Sequence, residues 1–312
     1  MFSHHILKPE RTPLEAHPWG TIASSGSFST LFKSRLLRVL EYKESPHDLV
    51  GAERVFGISM TLNAPVVQQW SEFTRQPNSS LVVGKSSAHL DLPDAAIDLV
   101  VNDPPYLDNV HYSELADSFH AWLRGVRPFE GYPTELSTTR AEGEVQSADS
   151  DEFAKAIEDV WQECARVLKE DGILAFTFHQ ARAAGWSALV TALRNAGFVI
   201  TAVQPVKGEL SVATPKSGAS DPSNLDAVIV CRKTSGGVRP SVDRVVTELR
   251  ECRDAGVAVG WSDIQSVVRG AVVASYTDPT CDRSLDDLLA EAGVAADRVC
   301  AEFAVSSQKL KA

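Results

Sequence analysis

The chain is short of paired cysteines, clustered histidines, long apolar runs and basic charge, and each shortage removes a class of protein. Its five cysteines, Cys164, Cys231, Cys252, Cys281 and Cys300, are scattered without a C-x-x-C pair. That spacing excludes a zinc ribbon and a disulfide framework and reads as reduced thiols. All eight histidines precede residue 180 and none forms H-x-x-x-H, so the pattern predicts no metal site. No apolar stretch approaches the roughly 18 residues that span a bilayer. Met1-Phe2-Ser3-His4-His5 lacks the basic, apolar and small-residue order of a signal peptide. The expectation is a cytoplasmic protein with no membrane partner. A formal charge of −11 repels polyanions at long range and counts against a protein that binds nucleic acid unaided. The basic residues that could form a patch lie near the start, at Lys8, Arg11, Lys33, Arg35, Arg38 and Lys43, and around Arg124, Arg127 and Arg140. Each reads equally well as solvated surface charge.

What is present is an ordinary globular composition. At 312 residues and 44% hydrophobic, the chain can bury one full domain and carry an appendage. Residues 1–25, with prolines at 9, 13 and 18, read as an extended arm. A helix is predicted beyond Gly26, capped by Ser27 or Ser29, with Phe28, Leu31, Phe32, Leu36, Leu37 and Leu40 on one face. A second helix is predicted over 64–75, capped by Asn63, and a strand over 80–83. The turn at 92–98 feeds an apolar run that is too short for a helix, which predicts a central, buried parallel strand. A helix over 113–124 and an irregular stretch over 126–150 follow. Phe153, Ile157, Val160, Trp161, Cys164, Val167 and Leu168 then stripe one helical face, and Lys169-Glu170-Asp171-Gly172 ends that helix before a strand at 173–178. A helix over 186–195 and strands over 198–206 and 225–231 complete an alternation that argues for an α/β sheet closing in an antiparallel pair. The expected boundaries are 1–78 for the arm and first helices, 79–232 for the α/β domain, and 233–312 for a small helical appendage.

Chemistry concentrates where the apolar run over 97–102 stops, at Asp103-Pro104-Pro105-Tyr106. Adjacent prolines end any ladder or helix, because neither has an N–H and each restricts the residue before it. A stiff, extended loop results. The Asp103 carboxylate and the Pro104 carbonyl are acceptors, and an exocyclic –NH2 has two hydrogens to give them. Tyr106 can stack on the ring that bears the amine.

The order of elements resembles the second half of the S-adenosylmethionine-dependent methyltransferase fold, in the Leu-Pro turn at 92–93, the turn at 168–172 and the closing hairpin. With Asp103-Pro104-Pro105-Tyr106 the likeness is to amino-methyltransferases that act on adenine N6 or cytosine N4. A closer resemblance is to the large bacterial adenine-specific DNA methylases of phage-defence loci. It runs from Asp103 through Leu107-Asp108-Asn109-Val110-His111-Tyr112-Ser113-Glu114-Leu115 to Phe119 and Trp122-Leu123-Arg124. An early block also takes part: His4-His5, Lys8 to Leu14, Trp19-Gly20-Thr21, Ser25 to Phe32 and Ser34-Arg35-Leu36.

This resemblance implies a Rossmann-like sheet, S-adenosylmethionine as cofactor, DNA as partner, and a target base flipped from the duplex onto Tyr106. Asp103 and the Pro104 carbonyl then draw the amine lone pair out of conjugation and aim it at the methyl group, with positioning supplying most of the acceleration. An aspartate in the first motif position favours adenine by resemblance alone. His111 and Tyr112 are further candidates for the base pocket, with helix capping or packing as the plain alternative. His179, at the end of the strand over 173–178, sits where parallel sheets bind ligands, and a polar strand end explains it as well. Ser86, Ser87 and Asp91 occupy the place where this fold contacts the cofactor adenine.

One element of the resemblance is missing. The fold needs a glycine-rich turn after its first strand, and neither Gly51 to Gly57 nor Val83-Gly84-Lys85 has a G-x-G turn between strand and helix. The sheet is therefore expected to be incomplete. Two readings are open: a split enzyme in which a second polypeptide supplies the glycine-rich turn, or a truncated, inactive binding subunit. RNA and protein methylation stay open as well; protein glutamine enzymes place asparagine directly before the prolines, and here Asn102 is one position too early.

Overall fold

A computed structural model of the chain describes residues 2–3, 6–9, 32–50, 53–56, 65–105, 112–128, 130, 132–141, 144–145, 147, 149–208, 223–233 and 239–305. They belong to two compact units, Met1–Gly84 and Lys85–Ala312.

Elements of the first unit are short. Strands β1 (Phe2–Ser3) and β2 (Ile6–Pro9) pair antiparallel. A π-helical stretch, Phe32–Leu37, runs into α1 (Arg38–Glu44). The start of the helix predicted beyond Gly26, with Ser27, Phe28, Ser29 and Leu31, lies outside the described residues, and its later apolar positions Phe32, Leu36, Leu37 and Leu40 are exposed. A hairpin follows, β3 (His47–Val50) against β4 (Glu53–Phe56), in which His47 faces Phe56 and Val50 faces Glu53. The helix predicted over 64–75 is not formed as such. Val66–Val67 is strand β5, parallel to β6 (Ser80–Leu81), and only Trp70–Phe73 (α2) is helical. Two successive β-branched residues lose side-chain freedom in a helix and suit a pleated strand, which overrides the helical spacing of the apolar residues.

The second unit runs β7 (Ile97–Asn102), α3 (Tyr112–Val126), α4 (Ser150–Val167), β8 (Leu168–Phe178), α5 (Ala183–Asn195), β9 (Val199–Lys207) and β10 (Leu225–Arg232). Helices α6 (Val242–Asp254) and α7 (Trp261–Val273), a 3-10 turn and α8 (Leu285–Glu302) complete it. It is a mixed α/β unit whose sheet has the order β7-β8-β10-β9, with β7 parallel to β8 and both other pairs antiparallel. The expected closing pair is β9 with β10, and β10 lies inside the sheet. Lys169-Glu170-Asp171-Gly172 does not separate helix from strand, because β8 begins directly at Leu168. The turn survives as an excursion within β8, where the register jumps from Ile97↔Leu168 to Leu99↔Ile173. Gly172 permits it, since a Cβ there would lie 2.9 Å from both Leu168 Cδ2 and Lys169 O.

Strand β7 is not central. Among the described residues it pairs with β8 alone, and Leu99 and Val101 are 53% and 70% exposed. A parallel strand buried on both faces needs neighbours on both edges, and no described strand of this chain takes the second edge.

Helix α4 starts where Asp149 accepts hydrogen bonds from the N–H groups of Asp151 and Glu152 (2.8 and 3.1 Å). It buries Phe153, Ile157, Trp161 and Cys164, while β8 buries every second residue from Leu174 to Phe178. The helices beyond 233, expected as an appendage, share one apolar core with the sheet: Val245, Leu249, Ile264, Val267 and Leu288 join Phe176, Trp186, Ile200 and Ile229. Asp263, fully buried, accepts from the N–H groups of Asn224 (2.9 Å), Leu225 (3.0 Å) and Gly260 (2.8 Å), tying α7 to the start of β10. All five cysteines are free thiols. Burial pushes the Cys164 thiol up to about 11, as expected for an unreactive core thiol.

The turn into β7 is clamped from α4. Glu163 accepts from Arg166 (2.7 and 2.9 Å) and from the N–H of Leu90 (2.6 Å), and Arg166 also reaches the carbonyls of Leu90 and Leu92. Chiefly through the Arg166 hydrogen bonds, the Glu163 carboxyl is held down to about 2 from its ordinary 4.5. Its contribution to stability is present above about pH 4.5 and is lost as the pH falls through about 2. Glu163→Gln is expected to cost about 1 kcal/mol at neutral pH. The gap to the native chain should close on acidification, as read from urea midpoints at pH 7, 4 and 2.5.

Candidate active site

Pairing with β8 fixes the end of β7 so that Asp103 meets Thr177 across the strand ends. Thr177 Oγ1 donates to Asp103 Oδ1 at 2.5 Å. Pro104 is buried and Pro105 half-buried, so the stiff loop expected from the two prolines is seated against the unit. Just before it, Asn102 Oδ1 is buried without a hydrogen-bond partner among the described residues. A cavity of about 410 Å³ opens beside the loop, lined by Asp103, Pro105, Tyr112, Glu144 and Val145. Of the residues singled out from sequence, Asp103, Pro105 and Tyr112 therefore come together. Tyr106 and His111 lie outside the described residues.

Glu144 and Val145 reach this cavity at the end of a strap held by the polar face of α3. Asp117 accepts from the N–H of Thr139 (2.5 Å) and from the hydroxyls of Thr138 and Thr139 (2.9 and 2.8 Å). Those bonds, the backbone N–H of Thr139 foremost, hold its carboxyl below the usual range. Buried His120 donates from Nε2 to the Leu136 carbonyl and accepts at Nδ1 from the Tyr132 hydroxyl, both at 2.9 Å. Arg124 Nε donates to Thr134 O at 2.9 Å, and Arg140 pairs with Glu114 at 2.6 Å. Helix α3 thus turns its polar face inward and leaves Tyr112, Phe119, Trp122 and Val126 exposed, Phe119 by 70% and Trp122 by 61%.

Thr177, Glu144 and Val145 were not legible as site residues. Thr177 could have been flagged as a hydroxyl at the carboxyl end of the strand beside the motif strand. Glu144 and Val145 sit in an irregular stretch with no periodicity to place them.

The remaining candidates lie elsewhere. His179 follows β8 but its Nδ1 contacts Leu225 O and Ser223 Oγ, each at 2.9 Å, and it does not line the cavity beside Asp103. Ser86 and Ser87 are exposed in a turn closed by His89 N to Ser86 O at 3.1 Å, and Asp91 is paired with Lys85. A Cβ added at Gly84 would meet nothing within 4 Å, so no close backbone approach is built there. Among the described residues no group of His, Cys, Asp and Glu is placed to hold a metal ion, and no helix is long and apolar enough to cross a membrane.

No protein-family model matches this chain. No curated protein matches it either. Solved structures do. TTHA0409 from Thermus thermophilus, assigned as a DNA modification methylase and solved as a complex with S-adenosyl-L-methionine, aligns at 16% identity over 57% of this chain and 56% of its own, with a TM-score of 0.27. Its selenomethionine derivative aligns at 18% identity over 54% and 55%, with a TM-score of 0.26. The PvuII DNA methyltransferase, specific for cytosine N4, aligns at 11% identity over 66% of this chain and 88% of its own, with a TM-score of 0.29. The chain spans about half the length of the Thermus protein. At such scores the overlap is partial, and the functional reading rests on the chemistry of the site itself.

Proposed function

We propose that this chain is the amine-gripping half of an S-adenosylmethionine-dependent DNA methyltransferase that modifies the exocyclic N6 amine of adenine. The observation that carries this reading is the placement of Asp103: at the carboxyl end of a parallel strand, bonded to Thr177, in one cavity with Pro105 and Tyr112. An acceptor there accepts a hydrogen bond from the amine N–H, which favours a geometry in which the nitrogen lone pair leaves conjugation with the ring; the proton is lost to it only as the methyl bond forms. The developing positive charge on nitrogen faces a carboxylate that is already in place, which is where preorganised electrostatics lower a barrier most. Thr177 acts on Asp103 by donating to it, which fixes the carboxylate rotamer. Tyr112 offers an aromatic wall for the flipped base.

The described residues of this chain do not fit the methyl donor. Ser86, Ser87 and Asp91 are exposed, Asp91 is engaged by Lys85, and no glycine cradle stands near them. The donor is accordingly assigned to a second polypeptide. Two features of the second unit support that assignment. Strand β7 has one edge without a strand partner among the described residues, and Leu99 and Val101, which share one of its faces, are exposed. Tyr112, Phe119, Trp122 and Val126 recur at helical spacing along α3, an apolar stripe of the kind that packs against another helix. An α/β partner would supply both a strand and a helix.

Methyl incorporation from labelled S-adenosylmethionine into unmethylated bacterial DNA, with nucleosides resolved by mass spectrometry, tests the reading. N6-methyladenine formed only when a partner chain is present is the expected product. N4-methylcytosine moves the specificity to cytosine, methylated RNA or protein moves the substrate class, and no product in any partnered preparation leaves the inactive binding subunit. Thr177→Val should lower transfer about tenfold, the worth of one such hydrogen bond, while Thr177→Ser retains it.

A further inference from the structure

In the first unit, a second cavity of about 280 Å³ lies between α1 and the β3–β4 hairpin. Its lining brings together residues far apart in character and sequence: Arg38, Tyr42, His47, Arg54 and Phe56, with Glu41 as the one acid. Their convergence has simple causes. Arg38 and Tyr42 are four apart on α1 and share a helix face. Arg54 and Phe56 are two apart on β4 and share a strand face, and Phe56 stands opposite His47 in the hairpin register. The rings form a chain, Tyr42 edge-on to His47 with centroids 5.3 Å apart and His47 tilted on Phe56 at 5.2 Å. Tyr42 and Phe56 nevertheless remain 44% and 58% exposed, so the cluster buries little of its own surface.

Charge distribution points the same way. Residues 1–84 hold eight Lys and Arg against seven Asp and Glu, whereas residues 85–312 hold 22 against 34. The acidity that argues against nucleic-acid binding belongs to the second unit. Exposed aromatic faces flanked by guanidinium groups are the chemistry that takes an unstacked base and its phosphodiester, and an arginine fork matches a phosphate.

We propose that this cavity is a contact site for a DNA strand, with Arg38 and Arg54 on the phosphodiester and the Tyr42–His47–Phe56 group against a base. The choice of DNA over RNA rests on the methylation reading above; the cavity and its residues do not.

Fluorescence anisotropy of a labelled, mixed-sequence single-stranded 20-mer, titrated with the full chain at several salt concentrations, tests it. Arg38→Ala and Arg54→Ala should each weaken binding and reduce the salt slope by about one ion. Phe56→Ala should weaken binding about tenfold with the slope unchanged, and Phe56→Leu, with an intact circular dichroism melt, separates lost stacking from lost folding. Absence of binding, or variants that bind with native affinity and slope, overturns the site. Tighter binding of the same sequence as RNA, or full competition by adenosine monophosphate alone, overturns DNA as its ligand. This binding readout needs neither S-adenosylmethionine nor a partner chain, so a failure of the methylation reading leaves its result standing.

Discussion

Replacing Asp103 by alanine should lower methyl transfer by the partnered chain at least about 100-fold, with the melting temperature unchanged. The size follows from removing a preorganised acceptor aimed at developing charge, a loss that typically costs two to three powers of ten in rate. Asp103 is exposed at a strand end and is not part of the apolar core, so its truncation leaves no cavity to destabilise the unit. Asp103→Asn keeps the shape and one acceptor oxygen but not the charge, and should fall between the two. The expected pattern is a drop in kcat with little change in KM for DNA, because the contact strengthens as the amine becomes acidic and not before. Native rates for Asp103→Ala, measured by methyl incorporation in single turnovers, would remove Asp103 from the mechanism and with it the reason for reading this chain as an amino-methyltransferase.

The largest structural effect is expected where α7 crosses α5. Trp186 is fully buried, its Nε1 donates to Gln180 O at 2.8 Å, and its ring meets Phe178 edge-on with centroids 4.9 Å apart. A Cβ at Gly270 would stand 2.5 Å from Trp186 Cη2. Only glycine allows α7 this close, and the indole, bonded and packed, has no room to retreat. Gly270→Ala should therefore cost about 1–3 kcal/mol as overpacking, and Trp186→Ala about 3–5 kcal/mol through the cavity it leaves. Against a domain stability of about 5–15 kcal/mol, the second change is close to unfolding. Truncation after Lys233 should abolish folding of the second unit, because it strips Ile264, Val267, Val268 and Leu288 from the core that Trp186 and Ile229 share. Calorimetric melts of the three variants measure this. A truncated chain that melts cooperatively would show that the C-terminal helices are a true appendage.

Local chemistry made much of this legible in the sequence. The stripe from Phe153 to Val167 is a helix face because apolar residues at 3.6-residue spacing must be buried together, and residues 150–167 are helical, whereas Leu168 opens β8. The short runs over 97–102, 173–178 and 225–231 became strands for want of length and for their β-branched content. The double proline marked the end of β7 through covalent geometry alone. Pattern failed where two rules competed: Val66–Val67 obey strand preference against a helical spacing, and α3 is amphipathic but faces its polar side inward. The second case has a tertiary cause, since Asp117, His120 and Arg124 hold the strap over 132–141 and an apolar stripe alone does not say which side is buried.

By itself, then, the sequence determined the α/β alternation, the strand that carries Asp103, the stiffness of the loop after it and the want of a glycine-rich turn. These come from periodicity, ring closure in proline and residue identity, which act over a few positions of the chain. Only the tertiary structure decided that β7 is an edge among the described residues, that Thr177 bonds Asp103, that Glu144 and Val145 line the cavity, and that the last three helices belong to the sheet's core. Those depend on which surfaces meet across long stretches of chain, and hydrogen bonds and burial between distant residues leave no spacing in the sequence to read.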